Sequence, residues 1–311
     1  VHDLALVDGK SQDQFGISVS QSGDLMVVGA RKADIDGQTD VGAAYVYRVE
    51  SNGTITLLQK VHAHDGVANN YFGHSVSISG DILAVGAYDA TVSRTKYAGA
   101  VYLYRVENDG SVSFLGKVTA RDGKSNDRFG YCVSQSGGIL AVGAYNAEAI
   151  YLYRVESNGN FSFMNKVTAD DGNAGDRFGN SVSQSGDVLA IGASKWDVDG
   201  EQNAGAVYLY RVESDGAVSF IDKVLAPDGE KNDYFGISVS QSGDVLAVGA
   251  SKADAAYLFR VGSMKAEEIT KIVVPGGVNG KNKFGSSVSL SGDVLAVGAY
   301  YSDPDGLSNA G

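Results

Sequence analysis

"DRFGNSVSQSGDVLAIGA", residues 176–193, reads as two short strands around a Ser-Gly-Asp turn, and it recurs with small changes along the whole chain. Phe-Gly falls at Phe15, Phe72, Phe129, Phe178, Phe235 and Phe284, so successive copies lie 57, 57, 49, 57 and 49 residues apart. Self-similarity at such a period means that one supersecondary unit is stacked several times.

Each Phe-Gly is followed by a strand such as "ISVSQSG" (Ile17–Gly23), the turn, and a second strand such as "DVLAVGA" (Asp244–Ala250). A third strand, "GAVYLYRV" (Gly205–Val212), a turn such as "ESDGA" (Glu213–Ala217) and a fourth strand, "VSFIDKV" (Val218–Val224), complete the unit. Two hairpins in succession make a four-stranded antiparallel meander. Alternation puts Tyr208, Tyr210 and Val212 on one side of the third strand and Leu209 and Arg211 on the other, so both faces of the sheet need cover. Radial stacking of copies supplies that cover, which is the β-propeller arrangement. A parallel β-helix would need shorter periods, and helical solenoids would need helices that the pattern lacks.

The expected fold is therefore all-β: one β-propeller domain over residues 1–311, built of four-stranded antiparallel blades. Six repeats are visible and the sixth is incomplete, since Gly311 falls where its third strand should begin. Residues 1–7 align with the end of a fourth strand and are expected to form the outer strand of the closing blade. A seven-bladed ring would need about one further period. The incomplete blade leaves an edge at the strand Asp293–Ala299, so the expectation is either that the chain is a segment of a longer one or that strand complementation or self-assembly fills the gap.

Composition narrows the function. Hydrophobic residues make up 43% of the 311, enough for a sizeable core, and Gly 41 with Pro 3 fits strands joined by tight turns. The net charge of -12 carries no Lys/Arg cluster, so a nucleic-acid partner is not expected. No apolar run is long enough to span a bilayer, so membrane insertion is not expected either. Cys132 is the only cysteine and stands where other copies carry Ser, as a buried substitute.

Phe-Gly followed fourteen residues later by Gly-Ala, with a "GAVYLY" strand downstream, resembles the FG-GAP repeat of integrin α-subunit propellers. The form "DGxxxDxFGxSVSxSGDxLAVGA" is similar to the FG-GAP repeats of bacterial and protist extracellular proteins. The resemblance implies a propeller, usually seven-bladed, on secreted or cell-surface proteins that bind other macromolecules. It does not carry over the calcium loops of that family, because the connection between strands one and two is only Ser-Gly-Asp (Ser22–Asp24 and its copies).

Structural duties repeat, so asymmetry between copies marks the functional candidates. Length varies mainly between strands two and three: "RKADIDGQTDVG" (Arg31–Gly42), "YDATVSRTKYAG" (Tyr88–Gly99), "YNAE" (Tyr145–Glu148), "SKWDVDGEQNAG" (Ser194–Gly205), "SKAD" (Ser251–Asp254) and "YYSDPDGLSNAG" (Tyr300–Gly311). In a meander these loops emerge at the same end as the four-to-one connections, and loops on a rigid scaffold are where binding resides. Trp196, Tyr88, Arg94, Tyr97, Tyr300 and Tyr301 are the candidate ligand-contacting residues there. Three loops share D-x-D-G-x-x-[DN]: Asp34, Asp36 and Asp40; Asp197, Asp199 and Asn203; Asp303, Asp305 and Asn309. This pattern reads in two ways, as oxygen ligands for Ca2+ or as Asp-Gly turns whose carboxylates accept backbone hydrogen bonds.

Asp8, Asp65, Asp122, Asp171 and Asp228 each stand seven residues before a Phe and are read as turn carboxylates that fix the connection. His62 and His64 flank Ala63 but have no partner cluster in sequence. Asn52 and Asn160 begin glycosylation sequons beside three-to-four turns. No nucleophile–base pair or phosphate-cradling loop is visible. The expectation is a non-enzymatic extracellular or cell-surface propeller acting in adhesion, macromolecular binding or surface assembly, with a protein or glycan partner on the long-loop face. A carbohydrate-binding lectin and a cation-dependent extracellular enzyme are the alternatives.

Overall fold

The computed structural model describes residues 9–10, 12–274 and 282–302. Regular structure in them is entirely β-strand, in the order the repeat predicts. The first sheet holds β1 (Phe15–Ser22), β2 (Leu25–Ala30), β3 (Ala43–Val49) and β4 (Ile55–Val61). The second holds β5 (Ser75–Ser79), β6 (Ile82–Ala87), β7 (Ala100–Val106) and β8 (Val112–Val118). The third holds β9 (Phe129–Ser136), β10 (Ile139–Ala144), β11 (Ala149–Val155) and β12 (Phe161–Val167). The fourth holds β13 (Phe178–Ser185), β14 (Val188–Ala193), β15 (Ala206–Val212) and β16 (Val218–Val224). The fifth holds β17 (Phe235–Ser242), β18 (Val245–Ala250), β19 (Ala255–Val261) and β20 (Ala266–Val273). Each is an antiparallel meander in sequence order, whereas the sixth consists of β21 (Phe284–Ser291) and β22 (Val294–Ala299) among the described residues. The proposed outer strand at residues 1–7 lies outside the described residues.

The chain divides into two compact units, Val1–Ala147 with Tyr153–Phe163 and Glu148–Leu152 with Met164–Gly311. In the first unit Phe72, Leu83, Val85 and Tyr102 of one sheet pack against Val27, Ala44 and Val46 of the preceding one. In the second, Phe235, Val248 and Tyr257 pack against Val207 and Leu209 in the same way. The Phe of each of the first five Phe-Gly pairs meets the edge of a third-strand Tyr of its own sheet, with ring centroids 5.4 Å apart for Phe72–Tyr102 and for Phe235–Tyr257.

The repeated letters have three separate duties. Gly16 and its counterparts hold φ near the left-handed region (+87° at Gly16, +84° at Gly236), which breaks the register after Phe and re-aims the strand. The Gly of Gly-Ala makes room for the next repeat: a Cβ on Gly29 would collide with the Gly73 carbonyl, and one on Gly192 with the Gly236 carbonyl. The serines join neighbouring sheets. Ser18 and Ser181 hydroxyls donate to the Gly73 and Gly236 carbonyls at 2.9 and 2.8 Å, while Ser20 and Ser183 hydroxyls accept the Ile78 and Gln241 amides at 3.0 and 2.9 Å. Cys132 occupies the position of Ser18 in the third copy, and burial pushes its free thiol up to about 12.

Candidate ligand-binding end of the blades

The two-to-three loop of one repeat is hydrogen-bonded to the four-to-one connection that enters the next. Thr39, Asp40 and Val41 carbonyls accept the amides of Asn69, Tyr71 and Phe72, and Gln202, Asn203 and Ala204 carbonyls accept those of Asn232, Tyr234 and Phe235. The two kinds of loop therefore share one end of the blades in each unit, as the meander predicts.

The acidic loops are small hairpins. Asp36 and Gly37 have φ of 49° and 79°, Asp199 and Gly200 49° and 95°, and antiparallel bridges Ile35↔Gln38 and Val198↔Glu201 close them. Two successive positive φ values are what a primed two-residue turn requires. The second loop makes the same hairpin without an acid, with Ser93 and Arg94 at 49° and 73° and a Val92↔Thr95 bridge. Asp34 and Asp197 staple the loop by accepting the amides of Asp40 (3.2 Å) and Asn203 (2.8 Å). Among the described residues no three His, Cys, Asp or Glu side chains gather as a metal ion needs. Asp303, Asp305 and Asn309 lie outside the described residues.

Where the loop is short, a carboxylate does the work of the missing carbonyls. Glu148 accepts the amides of Gly175, Arg177 and Phe178 at 3.0, 3.1 and 2.6 Å, and Asp254 accepts those of Asn282 and Phe284 at 3.4 and 3.1 Å. Burial raises the Glu148 pKa against the opposing pull of these amides.

The carboxylates seven residues before Phe also have structural work. Asp65 accepts Tyr102 Oη at 2.6 Å and Lys117 Nζ at 2.7 Å; Asp171 takes Tyr208 and Lys223, and Asp228 takes Tyr257 and Lys271. Each ties the connection to the third and fourth strands of the sheet it enters. At the opposite turns, Asp24 and Asp81 pair with Arg48 and Arg105 of the third strands, both at 3.2 Å.

One group of side chains departs from the repeat. In the first unit Arg31, Tyr71, His74, Tyr88, Asp89, Arg128, Tyr131 and Tyr145 form a continuous network; in the fourth and fifth repeats Ser194 and Ser251 replace the residues after Gly-Ala and Asn180 and Ile237 those two after Phe, while Arg177 and Tyr234 keep the type of Arg128 and Tyr71. Tyr88 and Tyr145 are buried, and Tyr71, His74 and Tyr131 are half-buried against them. Ring centroids lie 5.4 Å apart for Tyr71–Tyr88, 4.5 Å for His74–Tyr88, 4.7 Å for His74–Tyr131 and 4.3 Å for Tyr131–Tyr145. Arg128 pairs with Asp89 at 3.2 Å and donates to Tyr145 Oη at 2.5 Å. Arg31 donates to Gln14 Oε1 at 2.5 Å and meets His74 Nδ1 at 3.1 Å. A guanidinium has only donors, so Nδ1 accepts and the His74 proton sits on Nε2. Burial, with Arg31 and Arg128 nearby, lowers the His74 pKa to about 3.

Sequence reasoning marked only Tyr88 of this network. Arg31, Tyr145, His74 and Tyr131 differ from Ser194, Ser251, Asn180 and Ile237 in the same columns of the repeat, whereas Tyr71 and Arg128 share their column with Tyr234 and Arg177 and carry no such signal. The other candidates are dispersed. Arg94, Tyr97, Tyr300 and Tyr301 are exposed, and only the last two touch each other, at 4.4 Å. Trp196 is half-buried, edge-on to Tyr208 at 5.8 Å and under Lys223 Nζ at 4.2 Å. His64 packs on Phe114 at 4.7 Å while the His62 ring turns to the Ala63 carbonyl, so the two do not converge. Asn52 and Asn160 are exposed, and Asn52 Oδ1 accepts the Thr54 amide.

Meandering four-stranded sheets stacked through their first strands define a β-propeller. The FG-GAP repeat model matches residues 2–47, 55–104, 112–158, 161–210, 218–263 and 267–311, and the chain belongs to that family. Among solved structures it resembles Sqt1 from Chaetomium thermophilum, at 14% identity and a TM-score of 0.55 over 93% of this chain and 68% of that one. It also resembles the RRP9 WD40 repeats (11%, 0.56, 91% and 72%) and a protein from Lactobacillus plantarum (15%, 0.52, 83% and 84%). At these identities the likeness concerns the fold. No curated protein matches.

Proposed function

We propose that this chain is a non-enzymatic propeller of extracellular or cell-surface type that binds a macromolecular partner at the loop end of its first three repeats. The observation that carries this reading is the Tyr/Arg/His network, in which Arg31, Tyr88, Tyr145, His74 and Tyr131 stand where the fourth and fifth repeats carry Ser194, Ser251, Asn180 and Ile237. The network also ties the first three repeats together, Arg31 reaching His74 and Arg128 reaching Asp89, and Tyr and Arg dominate the energetics of protein interfaces. The lectin alternative needs an open aromatic platform. Trp196 is covered by Lys223 and Tyr208, and Tyr71 already stacks on Tyr88 and lies under Arg31, which favours a protein partner over a sugar.

Peptide and glycan arrays probed with the wild-type chain and with Tyr131→Ile, the residue of the fifth repeat, test the proposal. Retention on peptides that falls at least tenfold in the variant, at unchanged Tm, supports it; equal retention by both proteins contradicts it.

A further inference from the structure

Arg31 stands out from its own network. Arg128 is neutralised by Asp89, but Arg31 has no carboxylate partner among the described residues. Its hydrogen-bond partners, Gln14 Oε1 and His74 Nδ1, are both neutral, and its guanidinium lies over the Tyr71 ring at 6.0 Å. It is half-buried and held from three sides, so little side-chain freedom remains to be lost on binding. The corresponding residues in the other copies are Tyr88, Tyr145, Ser194, Ser251 and Tyr300, so the charge is peculiar to the first repeat.

In a chain of net charge -12, Arg31 is a pre-positioned cation with no bonded counter-ion among the described residues. Guanidinium N–H groups left over after the Gln14 and His74 contacts match the paired oxygens of a carboxylate. His74 cannot share this role, because its Nδ1 is committed to Arg31 and the ring is neutral. The aromatic faces beside Arg31 are taken up by each other, so the free chemistry of the patch is charge and Tyr hydroxyl rather than a stacking surface.

We propose that Arg31 is the anchor for an acidic side chain of a protein partner, with Tyr71 and Tyr131 packing around the carboxylate-bearing segment. This rests on the partner-binding reading above and specifies its chemistry.

The test uses an array of synthetic acidic dodecapeptides, each printed beside a copy in which Asp and Glu are replaced by Asn and Gln. Wild-type protein should bind the acidic copies at least tenfold more strongly. Arg31→Gln should lose that preference, Arg31→Lys should keep part of it, and Lys32→Gln should change it by less than twofold, with thermal melts showing each variant folded. Amide peptides bound as tightly as acidic ones, with loss only in Tyr131→Ile, would overturn the carboxylate anchor and leave the partner-binding patch standing. Retention only on an array of acidic glycans would overturn the protein partner. Binding to neither array would overturn both readings.

Discussion

The Glu148 carboxylate accepts the Phe178 amide at 2.6 Å, in the place that the Ala98 carbonyl holds for Phe129 and the Ala204 carbonyl for Phe235, both at 2.9 Å. A loop shortened by deletion has lost its backbone acceptors, and one side chain replaces three of them. Glu148→Ala leaves the amides of Gly175, Arg177 and Phe178 without this acceptor, and hydrogen bonds to a charged group contribute about 1.5–3 kcal/mol. We expect Glu148→Ala to lower stability by about 3 kcal/mol and Glu148→Gln by about half of that in urea unfolding. A loss under about 0.5 kcal/mol for Glu148→Ala would show that water serves these amides equally well.

The Asp65, Asp171 and Asp228 carboxylates give the fold an acid limit. At Asp65 burial pushes the pKa up, but Lys117 and Tyr102 outweigh it; at Asp228 the Lys271 hydrogen bond leads, and all three aspartates end lowered. A carboxylate lowered in the folded state stabilises above its unfolded value, about 3.9, and loses that contribution as pH falls through the folded value. Unfolding midpoints measured from pH 5 to pH 2.5 should fall below pH 4, and Asp65→Asn should flatten the fall. An unaltered profile in Asp65→Asn would remove the triad from the account.

His74 acts in a higher window and in the same direction, since its folded state also favours the deprotonated form. Its folded pKa of about 3 lies below the ordinary 6.5, so the unfolded chain takes up a proton that the folded chain refuses. Stability should therefore decline as pH falls from 6.5, by about 2 kcal/mol at pH 5. The difference between wild type and His74→Asn over pH 7.5 to 5 isolates this contribution, and parallel curves would contradict the burial assigned to the ring.

If Asp34 and Asp197 are turn staples, their work needs no cation. Each accepts one backbone amide, so replacing both with Ala should lower stability by about 2 kcal/mol in total. Calcium should leave the Tm of wild type and variant unchanged. Calorimetric heat on calcium addition that disappears in the double variant would restore the ion-binding reading of these loops.

The fold was legible because its evidence is periodic: Phe-Gly, Gly-Ala and the alternation of "YLYRV" name the strands and the buried faces directly, whereas the register break after Phe-Gly carries no such signal. Asp65 and its copies were legible as structural for the same reason. Glu148 was not, since a single acid in "YNAE" has no pattern to belong to. Nor were the serine contacts, because Ser20 finds the Ile78 amide 58 residues away and only the stacking of two sheets brings them together. Tyr88 was visible as a loop aromatic, but Arg31, Tyr71, His74 and Tyr131 come from three repeats and two loop types, and each alone reads as an ordinary surface substitution.

Hydrogen–deuterium exchange of the chain with a peptide retained on the array tests most directly whether binding resides in the first three repeats. Protection should concentrate at residues 31–42, 71–74, 88–99, 128–131 and 145, with the corresponding segments 177–180, 194–205 and 234–237 unchanged. Protection confined to those second-unit segments, or to the three-to-four turns around Asn52 and Asn160, would contradict it.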